Sequence, residues 1–474
     1  MTTQVSSTAL HTNPADASFG KELGATLHLA APLALAQLAQ IGMGVTDTVI
    51  LGTIGHDAIA AGGLGAGTFF TLGAVLQGLV MGVGVLVAHA RGAETLERIA
   101  PILRAGLLLA LAAAVPLMLI MLDLEDVLLL FGEPVALAHD VAQYNHILLL
   151  AAPASLILAL QRSYLAAMGR ARPVMVISIC ALISNGCLNY GLIHGSVGLP
   201  EMGYLGSATA TVITLWIAML ATAAVVHRVK IPGRLNGPID WAVVRELASL
   251  GWPIAVTIGV EIILFMVAAL MMGLMGNTVL AAHQVTINVA SLTFMVPLAT
   301  AQAANVRIGF HMGAKNPRSA KRAAKASFLL GVGFMAIAAA VMFIAPRQIA
   351  YLFNLDPNVP GDADVISLVV RLLWICAIFQ VFDGAQTIAV GALRGLKDTR
   401  VPMVLAGFCY WVVGFPVAWV LGFHFGLGAE GIWWGLAFGL MAAALVLNVR
   451  FWRLMDRHIS ASNQGALSHA ISGA

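Results

Sequence analysis

The sequence predicts an all-α integral membrane protein with twelve transmembrane helices, arranged as two six-helix lobes related by pseudo-two-fold symmetry along the membrane normal. Three observations carry this prediction. Hydrophobic residues make up 60% of the 474 residues and charged residues only 10%, whereas soluble domains carry about 25% charged residues. Twelve apolar runs are long enough to cross a bilayer, which takes about 20 residues. One long segment of the chain also occurs twice.

The repeated segment covers residues 29–93 and 250–314, which match at a constant offset of 221 without a gap. The identical pairs include Leu29/Leu250, Pro32/Pro253, Ala34/Ala255, Gly52/Gly273, Gly55/Gly276, Ala61/Ala282 and Gly92/Gly313. Later in each half, Arg172, Met175 and Gly186 pair with Arg400, Met403 and Gly414 at an offset of 228. Internal repeats are typical of secondary transporters, with the substrate site where the repeats meet. Because each copy holds an even number of spans, both halves insert with the same orientation.

Breaks at Gly, Pro and charged clusters separate the predicted spans. They lie near 26–52, 58–88, 102–122, 142–164, 173–194, 203–226, 248–275, 280–306, 326–346, 366–391, 401–423 and 430–452. The predicted organisation is an amino-terminal tail 1–25, a first lobe 26–227, a linker 228–246, a second lobe 247–452 and a carboxy-terminal tail 453–474. The polar opening lacks the pattern of a signal peptide, so none is expected.

The distribution of Lys and Arg predicts the orientation. Arg162, Arg170 and Arg172 are taken to follow the fourth span. On that assignment 23 of the 25 basic residues fall on one side of the membrane, and Arg347 and Arg371 are the exceptions. The positive-inside rule then places both termini and the linker in the cytoplasm. We therefore expect a multi-pass protein of the plasma membrane, which is the inner membrane in a bacterium.

Three carboxylates lie within predicted spans: Asp47 in the first, Glu261 in the seventh and Asp383 in the tenth. An acid at a helix centre costs roughly +2.5 to +3.5 kcal/mol on insertion scales, so it must face protein or water and find a partner. One interpretation is structural, with a neutral or hydrogen-bonded carboxyl that holds helices together. The other is functional, because three such acids each have polar neighbours on the same helical face.

Helical spacing identifies those neighbours. They are Gln37, Gln40 and Gly44 before Asp47, Asn185 and Asn189 one turn apart on the fifth span, Gln284, Asn288 and Ser291 on the eighth, and Gln380 and Thr387 around Asp383. Amide stripes also serve as contacts between helices, so that interpretation stays open for each residue.

The polar residues do not repeat where the scaffold does. Glu261 aligns with Gln40, and Asp47 aligns with Ala268. If the fold required these polar contacts, they would be expected in both halves. We infer an amino-terminal site of Asp47, Asn185 and Asn189, and a carboxy-terminal site of Glu261, Asp383 and Gln284.

Motifs of enzymes are absent from the sequence, which has no GxSxG, HExxH or GxxxxGK[ST]. The four cysteines lie in apolar runs, so neither a disulfide framework nor a Cys/His metal site is expected. A secondary transporter without an enzymatic cofactor fits better, since carboxylates in a low-dielectric cleft attract cations. Phe265 and Phe379, among several methionines, suit flat apolar cations, although such residues are also ordinary core. A non-transporting membrane scaffold remains the rival from another class.

Four segments then indicate a family. They are Pro32 with Thr46-Asp47-Thr48 and Gly52, Ala281-Ala282-His283-Gln284, Asp383-Gly384-Ala385-Gln386, and Leu393-Arg394-Gly395-Leu396-Lys397-Asp398-Thr399-Arg400. Together they resemble the multidrug and toxic compound extrusion (MATE) family, in particular its NorM branch, from about residue 26 to 452. The resemblance implies efflux of small organic cations in exchange for Na⁺ or H⁺, by a protein that contacts membrane lipids, binds no nucleic acid and acts as a monomer.

The resemblance also implies roles for residues. Glu261 and Asp383 correspond to cation-coupling acids, with Na⁺ as one candidate ion. Asp47, Asn185 and Asn189 correspond to a second coupling cluster. Gln284, Asn288, Phe265, Phe379 and Asp383 are then expected to contact substrate. Some relatives carry Tyr one turn before the tenth-span acid, where this chain has Phe379. The family also includes lipid-linked sugar flippases, which would be expected to line their cavity with basic residues.

Overall fold

The computed structural model describes residues 18–229, 237–353 and 355–472. Within these ranges, twelve helices are long and apolar enough to cross a membrane. They are α1 (Phe19–Leu51), α2 (His56–Gly92), α3 (Leu96–Leu122), α4 (Val135–Ala167), α5 (Ala171–His194), α6 (Leu205–Arg228), α7 (Trp241–Leu274), α8 (Asn277–Gly313), α9 (Pro317–Ile344), α10 (Asp362–Gly395), α11 (Arg400–His424) and α12 (Gly428–Gln464). This confirms the predicted all-α class and the number of spans.

Several helices extend beyond the apolar runs that predicted them. α1 begins at Phe19, inside the predicted tail 1–25, and the helix of α12 continues to Ser472. Hydropathy marks the part of a helix that suits hydrocarbon, whereas the backbone continues in helical form into the polar region. Two short helices, Leu124–Leu130 and Pro346–Tyr351, occupy connections that the sequence analysis treated as loops. Residues 230–236 of the predicted linker lie outside the described residues.

The chain divides into two compact units, and the divisions fall inside α1 and α7. Of the described residues, those within 35–91 and 95–256 form one unit, and those within 18–34, 92–94 and 257–472 form the other. Each division lies two or three residues after a helix-internal proline, Pro32 or Pro253. Proline removes one backbone hydrogen bond and allows a helix to bend. In each repeat, the residues before the break (29–34 or 250–256) therefore belong to a different unit from most of the residues after it.

A buried charged cluster fixes the start of α1 within the second of these units. Arg307 of α8 donates from Nη2 to both carboxylate oxygens of Glu22 at 2.7 Å, and from Nε to Oε2 at 3.2 Å. The His311 Nε2 atom lies 2.9 Å from Glu22 Oε1. Glu22 is 1% exposed and His311 2%. The carboxylate therefore uses both oxygens within the protein, in place of water.

Small residues allow close helix contacts in the other unit. A Cβ atom on Gly251 of α7 would lie 2.2 Å from the Leu79 carbonyl oxygen of α2, and one on Gly78 would lie 2.6 Å from the Ala255 Cα atom. Small residues at such positions let helix backbones approach closely, which is how helices associate in membranes. This packing explains why the first turns of α7 lie in the same compact unit as most of α2.

Helix α11 is irregular in a way that bears on the site. Cys409–Gly414 and Val420–His424 are π-helical, and Phe415–Trp419 between them is α-helical. π-helical turns inside α-helices occur frequently at functional sites. The first π segment contains Tyr410, which is fully buried with Trp433 and Phe379 in the apolar core of its unit.

Candidate cation sites

The amino-terminal site is built around Asp47 on α1, which is 5% exposed. Asn189 of α5 donates from Nδ2 to Asp47 Oδ1 at 2.5 Å, and the Thr211 hydroxyl of α6 donates to Oδ2 at 3.4 Å. Asn185 contacts the same Thr211 hydroxyl at 3.5 Å. The helical spacing of the two asparagines thus brings both to Asp47, directly or through Thr211.

Residues that the sequence analysis missed complete this network. Ser207 of α6 accepts hydrogen bonds from Asn189 Nδ2 at 3.2 Å and from the Tyr144 hydroxyl of α4 at 3.3 Å. Ser207, Thr211 and Thr214 occupy positions i, i+4 and i+7 of α6, and each is at most 1% exposed. This spacing places the three hydroxyls on one face of α6, but the sequence does not show that Ser207 and Thr211 meet the Asp47 network.

The donor set around Asp47 suits a hard cation. The side-chain oxygens of Asn185 and Asn189 are buried and have no hydrogen-bond partner among the described residues. No basic side chain bonds to Asp47 in that part of the chain. Carboxylate and amide oxygens are preferred ligands of hard cations. The cluster can therefore hold a positive charge that the protein itself does not supply.

The carboxy-terminal site combines Asp383 of α10 with Glu261 of α7. Asp383 is 5% exposed, and its Oδ1 atom has no hydrogen-bond partner within the described chain. The carboxyls of Asp383 and Glu261 interact with each other electrostatically, and Glu261 also interacts with Arg394 of α10. Two acids that share one site favour binding of a cation or a proton, because their mutual repulsion is then relieved.

Further polar groups lie near these acids. The Tyr410 hydroxyl and the Gln386 side-chain oxygen are buried and lack a partner among the described residues. The phenol of Tyr410 interacts electrostatically with both Glu261 and Asp383. Trp411 donates from its indole nitrogen to the Val260 carbonyl at 3.4 Å, which holds α11 beside the residue that precedes Glu261. Tyr410 was not predicted, because a single tyrosine in an apolar run has no polar neighbours at helical spacing that would indicate a site.

The aromatic residues expected at the carboxy-terminal site form a packed group. Phe379 is 1% exposed and stands edge-on to Phe265 at 6.1 Å and to Trp433 at 5.5 Å between ring centroids. The Phe379 side chain is therefore covered in this conformation, whereas Phe265 is partly exposed. Substrate contact by either ring remains a prediction.

Gln284 and Asn288 lie on one exposed stripe of α8. The Gln284 side-chain nitrogen is 3.5 Å from Asn288 Oδ1, and both residues are exposed. Within the described residues Gln284 forms no hydrogen bond to Glu261 or Asp383, while Gln380 of α10 donates to the Thr293 hydroxyl of α8 at 2.5 Å. The predicted grouping of Gln284 with the two acids is therefore not seen as a direct contact, and its role in binding substrate stays a prediction.

One basic residue lies elsewhere than expected. Arg162 falls inside the helical segment Ala152–Ala167 of α4, and not in the loop that follows it. It donates from Nη1 to Gln40 Oε1 at 2.9 Å and from Nη2 to the Ser178 hydroxyl at 3.3 Å. Counting charges could not distinguish this position within the helix, because the positive-inside rule counts an arginine near a helix end in the same way as one in the following loop.

No group of three or more His, Cys, Asp or Glu residues among the described positions could hold a metal ion. A cation at either site would thus rely on one or two carboxylates and on neutral oxygens. Such a ligand set is suited to a weakly held, exchangeable ion.

The MatE family model matches the chain twice, over residues 32–191 and 253–420. The chain belongs to the MatE family. The two matches begin at Pro32 and Pro253, a pair that is identical in the two copies of the repeat. Members of the MatE family are transporters, so this multi-pass membrane protein is a transporter and not an enzyme.

Relatives that carry the name NorM match this chain over most of its length. A probable multidrug resistance protein NorM of Burkholderia mallei is 48% identical over 436 residues, which is 90% of this chain and 92% of that protein. The multidrug resistance protein NorM of Burkholderia vietnamiensis is 47% identical, with coverage of 90% and 93%. A probable NorM of Pseudomonas syringae pv. tomato is 39% identical, with coverage of 91% and 95%. The predicted resemblance is confirmed.

Solved structures agree with the fold. The eukaryotic MATE transporter AtDTX14 superimposes with a TM-score of 0.83 at 20% identity, covering 94% of this chain and 99% of that one. A MATE structure in the bent conformation gives a TM-score of 0.85 at 18% identity, with coverage of 94% and 98%. At these identities the comparison concerns the fold alone.

Proposed function

We propose that this protein is a cation-coupled antiporter that exports organic cations, including drugs and toxic compounds, across the bacterial plasma membrane, with both termini in the cytoplasm. One observation carries the proposal: Asp47 and Asp383 are buried carboxylates within apolar helices, and neither has a basic hydrogen-bond partner among the described residues. Such acids are costly in a membrane and mark ion or substrate pathways. The multidrug resistance names of the Burkholderia and Pseudomonas relatives support drugs as the substrate class.

The mechanism follows from competition for the same negative charge. A lipophilic cation from the cytoplasm pairs with a carboxylate in one state of the transporter. In the opposite state, Na⁺ or H⁺ from outside neutralises the acids and releases the drug. Ion and drug must prefer different states, because a ligand shifts a conformational equilibrium only through its differential affinity. Each positive charge that returns down a membrane potential contributes about 2.3 kcal/mol per 100 mV.

Ethidium efflux in everted vesicles tests the proposal, with an Na⁺ gradient and an H⁺ gradient imposed in separate experiments. We expect wild-type protein to move ethidium under at least one gradient, and D383N and E261Q to abolish this transport while still inserting in the membrane. D456N is the matched control, since Asp456 is an exposed carboxylate of the same unit with a side chain 62% exposed. Wild-type rates in both D383N and E261Q would defeat the proposal, as would a wild-type protein that responds to neither gradient.

A further inference from the structure

Two connections between spans expose large apolar side chains. The helix Leu124–Leu130 follows α3, and its last residue, Leu130, and the next, Phe131, are 84% and 81% exposed. The helix Pro346–Tyr351 follows α9, and the next residue, Leu352, is 82% exposed. Clustered apolar side chains on a protein surface mark a contact with another protein or with a membrane. Both connections therefore indicate a contact beyond the chain itself.

Packing within its own unit does not explain the first of these helices. Leu124 and Leu128, one turn apart, are buried and pack in a small apolar core of that unit. Val127, Leu130 and Phe131 lie at positions i, i+3 and i+4 and form a second apolar stripe, which is exposed. The helix is thus held by one stripe, while the other stays uncovered.

The second helix occupies the same place in the internal repeat. Leu130 and Phe131 correspond to Tyr351 and Leu352 at the offset of 221, and Tyr351 is exposed as well. Tyrosine has an apolar ring with a polar tip and is enriched where a membrane meets water. The halves differ in the polar residues of their candidate sites, yet both keep large exposed side chains here. The feature therefore belongs to the shared scaffold.

The lengths of the preceding spans place both helices at the edge of a bilayer. α3 has 27 residues and α9 has 28, so at 1.5 Å per residue each is roughly 40 Å long. The hydrocarbon core is about 30 Å thick, and about 40–45 Å with the headgroup regions. A helix that follows either span begins near the boundary between acyl chains and headgroups. Each follows an odd number of spans, so both lie on the side opposite the termini.

The exposed apolar surface of the spans leads into these helices. The last turn of α3 exposes Leu119 and Leu122, and the last turn of α9 exposes Phe343 and Ile344. Three acidic residues, which would repel anionic headgroups, lie within or just after the first short helix: Glu125, Asp126 and Glu133. The apolar part of a lipid therefore fits this surface, and an anionic headgroup does not.

We propose that the helices Leu124–Leu130 and Pro346–Tyr351 are interfacial anchors in the leaflet opposite the termini. Leu130, Phe131 and Leu352 insert among the acyl chains there. Amphipathic helices lie in this way in the plane of the interface, with the apolar side buried by about 5–10 Å. The anchors hold the ends of α3 and α9 at a fixed depth. The partner is lipid, so the inference does not depend on the coupling ion or on the exported substrate.

Fluorescence quenching in liposomes tests the anchors. F131C and L352C are made in a C180S/C187S background, because the other two cysteines are buried. Each variant is labelled with bimane and reconstituted in phosphatidylcholine. D126C and R347C are matched controls, since both positions are exposed and polar on the same helices. We expect a nitroxide near the top of the acyl chain to quench the labels at positions 131 and 352. Aqueous iodide should quench them at least about fivefold less than the control labels.

L130C and Y351C repeat the measurement one residue earlier, so the test does not rest on a single variant of each helix. Labels that iodide quenches as strongly as the controls, without quenching by the nitroxide, would place the connections in water and overturn the proposal. Labels that neither quencher reaches would overturn it too, because protein would then cover them. In that case, iodide quenching that returns when the protein is diluted in lipid would identify the cover as a second copy of this chain.

Discussion

The buried cluster of Glu22, Arg307 and His311 gives the sharpest prediction about stability. Glu22 is 1% exposed and Arg307 9%, and three N–O contacts of 2.7 to 3.2 Å join them. Substitution R307M would leave the Glu22 carboxylate buried with His311 as its remaining partner. Removal of one member of a buried ion pair typically costs about 3–5 kcal/mol, because the other charge stays desolvated. We expect a loss of that size in the free energy of unfolding.

The double variant E22L/R307M distinguishes the cause of that loss. If the stranded charge dominates, removal of both groups should restore most of the stability, since apolar replacement of a buried pair is often nearly neutral. The free energies come from equilibrium unfolding in detergent micelles for the four members of the cycle. K321M is the control, because Lys321 and Asp456 form an exposed pair at 2.7 Å that is worth at most about 1 kcal/mol.

Two results would refute the reasoning. A cost below about 1 kcal/mol for R307M would mean that Glu22 is solvated or neutral in the folded protein. A double variant that loses the sum of the two single losses would mean that the groups act independently, and not as one pair. In either case the cluster would not be what fixes the start of α1.

Three other changes follow from contacts in the two units. N189A removes a charge-assisted hydrogen bond to Asp47, so the concentration of coupling ion at half-maximal ethidium efflux should rise about 10-fold or more, and an unchanged value would exclude this contact from coupling. Y410F deletes one unpartnered hydroxyl beside Glu261 and Asp383. It should weaken Na⁺-driven efflux more than H⁺-driven efflux, and equal effects would contradict an oxygen ligand. G251L places a side chain where a Cβ alone would lie 2.2 Å from the Leu79 carbonyl, so the yield of folded protein should fall sharply by size-exclusion chromatography.

The fold could be predicted from the sequence because the bilayer imposes it. Hydrocarbon requires apolar runs of a set length with satisfied backbone groups, so the spans are visible in composition alone. Helix ends were less predictable, as at Phe19 and Ser472, since polar helical turns resemble loops in hydropathy. The division of α1 and α7 between units was not predicted either. Pro32 and Pro253 indicate where a helix can bend, but not which helices its two parts pack against.

The acids of the candidate sites could be predicted because charge in a membrane is rare and costly. Their hydroxyl partners were missed for a physical reason. A Ser or Thr in a transmembrane helix commonly satisfies its own hydroxyl, as Thr209 does by donating to the Leu205 carbonyl at 3.0 Å. Sequence alone does not distinguish that local bond from the contact of Thr211 with Asp47 across helices. The distinction requires knowing which helix faces α1.

The repeat also indicates that Asp47 is not needed for folding. Its counterpart at the offset of 221 is Ala268, which is 2% exposed, while Asp47 is 5% exposed. The same helical position is therefore buried in both halves, and a methyl group fills it in one of them. The two copies share a fold although only one carries the acid. Because the acid is costly to insert and the other half packs without it, we expect D47N to insert and fold while ion-driven transport is lost, as the proposed role of Asp47 in ion coupling requires.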